Sequence, residues 1–79
     1  MLKNECVLRE WRLKNNWTLQ DVADELNAMK FVTGKITKSV VSDWERGTHV
    51  PSNAVIQALT KLTVIEPEKL LENFKSLKK

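Results

Sequence analysis

Thr37-Lys38-Ser39-Val40-Val41-Ser42-Asp43-Trp44-Glu45-Arg46-Gly47 is the stretch whose reading decides the fold. A threonine hydroxyl at its start can accept the free amides of a helical first turn, and Gly47 at its end suits a left-handed cap. The sequence therefore predicts a short helix over residues 37–46. Val41 and Trp44, spaced i and i+3, share a face that can meet a core. Lys38, Ser39, Ser42 and Asp43 point the other way. Their side chains end in hydrogen-bonding groups of the kind that reach base edges in a DNA major groove.

The rest of the chain supplies helices to surround this one. Asn4 can cap a first helix whose Val7, Leu8 and Trp11, with the stem of Lys14, form an apolar stripe ending near Asn15-Asn16. Thr18, with Asp21 three residues on, forms a shortened capping box for a second helix, lined inwardly by Val22, Ala23 and Leu26. Residues 27–36 read as an extension of that helix followed by a loop, with Gly34 at a turn and Met29, Phe31 and Val32 apolar. Residues 47–52 form a second loop by their glycine and proline content, and Ser52 caps a fourth helix. That helix runs to about Leu62, with Val55, Ile56, Leu59 and Leu62 inward. Pro67 fits the first turn of a fifth helix behind Glu66, a poor cap, and Leu70, Leu71, Phe74 and Leu77 line one side. The basic tail Lys75-Ser76-Leu77-Lys78-Lys79 suits a helix C-terminus.

Composition agrees. With two glycines, two prolines and no tyrosine in 79 residues, the chain favours helices over a turn-rich β fold. Hydrophobic residues at 42% and charged residues at 29% give an ordinary globular balance. The expectation is an all-α bundle of four to five short helices, one domain over 1–79. A chain this small buries only about 60–65% of its unfolded surface, so its stability margin is thin. The net charge of +3 permits a nucleic-acid partner without demanding one. A lone cysteine, Cys6, excludes an internal disulfide and reads as a small apolar filler. One cysteine and one histidine are too few for a zinc site, so no metal or cofactor is expected. The single His49 has no nucleophile or carboxylate in a triad pattern, and no glycine-rich phosphate loop exists, so no enzyme is expected. No apolar run is long enough to span a membrane and no signal peptide is visible.

Five pieces in this order resemble the Cro/phage-repressor-like helix-turn-helix family. They are Leu8-Arg9-Glu10-Trp11-Arg12, Trp17-Thr18-Leu19-Gln20-Asp21-Val22-Ala23, the stretch from Ile36 to Gly47, Pro51-Ser52, and Glu66-Pro67-Glu68-Lys69-Leu70-Leu71. The most specific is the third, where a serine and one further residue precede Trp44-Glu45-Arg46-Gly47. The resemblance implies a lambda-repressor-like fold and a sequence-specific DNA-binding transcriptional regulator, a small phage, prophage or bacterial repressor in the cytoplasm at the nucleoid. It implies that Lys38, Ser39, Ser42 and Asp43 contact bases, with Lys38 donating to guanine and Asp43 accepting from cytosine N4. Gln20, Lys35, Thr37, Thr48, His49 and Asn53 are the phosphate candidates. Arg12 and Glu45 occupy positions that pair helix one with helix three. A homodimer through residues 66–79 is one partner it leaves open.

The departures are as informative. The family usually places glutamine directly after the cap of helix two; here Leu19 stands there and Gln20 follows. Either Gln20 takes over that phosphate contact or the contact is missing. Residues 27–36 lengthen the connection between helices two and three, and Val64 occupies a place where the family commonly has glycine. An acidic Asp43 and a modest charge keep a second reading open. In it, a modulator or antirepressor uses the scaffold to bind another regulatory protein through an apolar patch of Met29, Phe31 and Val32.

Overall fold

The computed structural model describes residues 6–30 and 34–77, and these form five helices. They are α1 (Val7–Lys14), α2 (Leu19–Met29), α3 (Lys38–Arg46), α4 (Asn53–Thr63) and α5 (Pro67–Leu77). Leu8, Val22, Ala23, Leu26, Val41, Ile56, Leu59, Leu70 and Phe74 form the centre of a single core, with Ile36, Trp44, Val55 and Leu77 around it. Among the described residues, no helix is long and apolar enough to cross a membrane.

Local chemistry sets the helix starts. Thr18 Oγ1 accepts the Asp21 amide at 3.0 Å while Asp21 Oδ2 accepts the Thr18 amide at 2.8 Å, closing the capping box. Thr37 accepts from Val40 N at 3.3 Å, and Ser52 from Val55 N at 3.4 Å. The expected cap of α1, Asn4, lies outside the described residues. Cys6 stands at the cap position without a side-chain bond, and Val7 N donates instead to Asn73 Oδ1 on α5 at 2.9 Å. Cys6 is buried, and that burial pushes its thiol above the ordinary value of 9.0, the behaviour of an inert filler.

The ends are less uniform. Gly47 caps α3 with φ +80°, and a Cβ there would collide with the Leu77 carbonyl, so the end of α5 rests on the end of α3. Val64 caps α4 in the same left-handed region, at φ +65° and 86% exposed. Thr63 supports that turn, donating to Leu59 O at 2.8 Å and accepting from Ile65 N at 3.2 Å.

Residues 27–36 continue α2 to Met29, which Lys30 caps at φ +59°. Phe31 and Val32, part of the expected apolar patch, lie outside the described residues. Asn27 governs the connection: its Oδ1 accepts Ile36 N and its Nδ2 donates to Ile36 O, both at 2.8 Å. One side chain on α2 thus pins the backbone immediately before Thr37.

Two expectations change. Trp11 does not enter the core with Leu8; it is half-buried and meets Trp17, itself half-buried against the core, edge-on, with ring centroids 5.2 Å apart and 61° between planes. The reason is that Leu8 and Arg12, spaced i and i+4, take the inward positions of α1, which rotates Trp11 to the flank and leaves Lys14 exposed. Leu62 and Leu71 are half-buried rather than fully inward. On α5, Leu70, Phe74 and Leu77 are core residues, as their spacing predicts.

Candidate nucleic-acid interface

Helix α3 divides cleanly. Val41 and Trp44 enter the core, while Lys38, Ser39 and Arg46 are exposed and Ser42 and Asp43 half-exposed. Val40, 36% exposed, adds an apolar group beside them. Lys38, Ser39, Ser42 and Asp43 therefore share one outer face, with Thr37 at its head. No acidic residue sits in the first turn, so no side-chain charge offsets the positive end of the helix dipole.

Glu45 lies on the side of α3 turned toward α1. Arg12 Nε donates to its Oε2 at 2.8 Å and Arg12 Nη2 to its Oε1 at 3.0 Å, a bidentate fork. Arg12 Nη1 donates further to Trp17 O at 3.0 Å. The two side chains are only 11% and 5% exposed. Bonding to Glu45 raises the Arg12 pKa further above its already high value. One guanidinium thereby fixes α1, the turn before α2, and α3 in mutual orientation. A buried pair of this kind adds specificity more than net stability, because desolvation offsets the attraction.

The remaining candidates scatter around this helix. Lys35 is exposed just before it. Thr48 and His49 are exposed in the turn that follows, where Thr48 N donates to Asp43 O at 2.9 Å and so completes the cap. Asn53 is exposed in the first turn of α4 behind Ser52. Gln20 is turned elsewhere: its Nε2 donates to Asp24 Oδ1 at 2.8 Å along α2. Leu19, in the usual glutamine position, is half-buried against the core. Asp43 is also engaged, accepting from Arg46 Nη2 at 2.7 Å, with His49 Nδ1 3.9 Å from its other oxygen.

Arg46 is the basic side chain that sequence reasoning passed over. Its spacing was the available signal, since Ser39, Asp43 and Arg46 stand at i, i+4 and i+7 on one stripe. Asn27 carried no comparable signal, because its partner is backbone nine residues away.

Comparison with known proteins agrees with this geometry. A family model described as helix-turn-helix matches residues 8–70. No curated protein and no solved structure matches the chain.

Proposed function

Because this chain belongs to the Cro/C1-type helix-turn-helix family, whose members are DNA-binding regulators, we propose that it is a small sequence-specific repressor of phage or bacterial type. In this reading α3 enters the major groove of an operator with its N-terminal half toward the bases. The observation that carries it is the outer face of α3, polar and accessible, held at a fixed angle by the Arg12–Glu45 fork. Lys38, Ser39 and Ser42 are the proposed base contacts. Lys38 donates to guanine O6 and N7, and the serine hydroxyls pair with more than one base. Thr37, Lys35, Thr48, His49 and Asn53 are the proposed phosphate contacts, and Gln20 joins them only by leaving Asp24. Two copies joined through residues 66–79 would set their recognition helices about 34 Å apart, matching successive major grooves on one face of a palindrome. Leu71, half-buried on α5, is the apolar residue from which such a contact would be built.

One observation favours a different role. Asp21, Asp24 and Glu25 lie on α2, which has no basic residue, although α2 is the helix that crosses the phosphate backbone in this fold. An acidic α2 suits a modulator that docks on another regulator. Titration of labelled duplex DNA across a salt series separates the two. A repressor shows log affinity falling by about 0.9 per phosphate contact for each decade of salt. A modulator shows no affinity for duplex alone.

A further inference from the structure

The Asp43 carboxylate does not stand free. Its Oδ1 accepts from Arg46 Nη2 at 2.7 Å, and its Oδ2 faces His49 Nδ1 at 3.9 Å. Asp43 is 29% exposed at its side chain and Arg46 67%. We propose that Asp43 acts on DNA through Arg46, as a positioning residue that aims the Arg46 fork at a guanine. This rests on the DNA-binding reading above.

Three observations converge on it. First, a bare carboxylate beside phosphates is repelled, whereas one bonded to a guanidinium presents a neutral pair. Second, Asp43 lies three residues toward the N-terminus from Arg46, so the bond draws the guanidinium back along α3, toward the half that faces bases. Side chains on a helix already lean that way. Third, Ser39, Asp43 and Arg46 share one stripe, which places the fork beside a side chain already facing the groove. An orienting carboxylate gains little for a phosphate contact, since phosphate accepts from many directions and the carboxylate's charge opposes it. It gains much for a bidentate contact with guanine O6 and N7, where angle matters. Arg46 Nη2 gives one hydrogen to Asp43 and keeps a second, which with the neighbouring nitrogen still forms a two-donor edge.

The experiment is selection from a random duplex pool, followed by affinity measurements on the winning sequence. It uses the full chain and its R46A, R46K, D43N and D43N/R46A variants. Both positions lie on the surface and an exposed pair adds little stability, so melting temperatures should be unchanged and verify folding. The expected result is one guanine-containing base pair whose preference vanishes in both R46A and R46K. R46A should lose about 10- to 100-fold in affinity. D43N should weaken that same preference, and the double variant should be no worse than R46A. Retention of the profile by R46K would reduce Arg46 to a phosphate contact and overturn the proposal. A D43N shift at a different base pair, or multiplying losses in the double variant, would make Asp43 a reader in its own right and also overturn it. Failure of the unsubstituted chain to enrich any sequence would remove the DNA-binding reading and this inference together.

Discussion

Arg12 and Glu45, thirty-three residues apart in the chain, form a two-bond fork at 2.8 and 3.0 Å that ties α1 to the candidate recognition helix. Arg12→Ala leaves the Glu45 carboxylate buried and unpaired, a cost of about 3–5 kcal/mol. For a domain of this size that is a large fraction of total stability. Urea unfolding should show a sharply lowered midpoint, and an unchanged midpoint would mean that Arg12 and Glu45 do not form a buried pair.

Asn27 holds both backbone groups of Ile36, itself only 7% exposed. Asn27→Ala strands a buried amide and a buried carbonyl, at a cost of about 1–3 kcal/mol. The local signature is amide hydrogen exchange: Ile36 should be protected in the parent chain and exchange rapidly in the variant. Equal protection in both would show that other groups hold this connection.

Val64 is a β-branched residue at φ +65° and 86% exposed, so it stores backbone strain and has little packing to lose. Val64→Gly should raise stability by about 1 kcal/mol, the left-handed penalty less the entropy of glycine. In thermal melts this is about 4–8 °C. A lowered melting temperature would show that the isopropyl group makes contacts worth more than the strain.

Lys38 opens the outer face of α3. Lys38→Ala should weaken operator binding by about 1–3 kcal/mol and relax selectivity at one base pair. Equal losses on operator and random duplex, measured side by side, would assign Lys38 to phosphate rather than base.

What the sequence made legible follows from the range of each interaction. Thr18 with Asp21, Thr37, Ser52 and Gly47 act within one helical turn, so their types and spacing predict four helix ends that the structure contains. The inward sets of α2 and α3, and that of α4 apart from Leu62, follow from periodicity for the same reason. Trp11 was misplaced because periodicity counts apolar residues, whereas Arg12, fully paired by Glu45 and Trp17, takes the inward place. Asn73 capping Val7 from sixty-six residues away, and Asn27 clasping Ile36, leave no local pattern at all. At the candidate site, the outer face of α3 is readable from its polar tips. That Asp43 is already bonded to Arg46 is a matter of rotamer, and side-chain type alone does not give it.

Whether the outer face of α3 is the DNA-contacting surface is decided by amide NMR of the isotope-labelled chain titrated with a selected duplex. The largest shift changes are expected from Thr37 through Arg46, with smaller ones at Thr48 and His49 and little change in α5. Changes confined to the groove of Val7, Trp11 and Ile65 between α1 and the α4–α5 turn, with α3 silent, would contradict it.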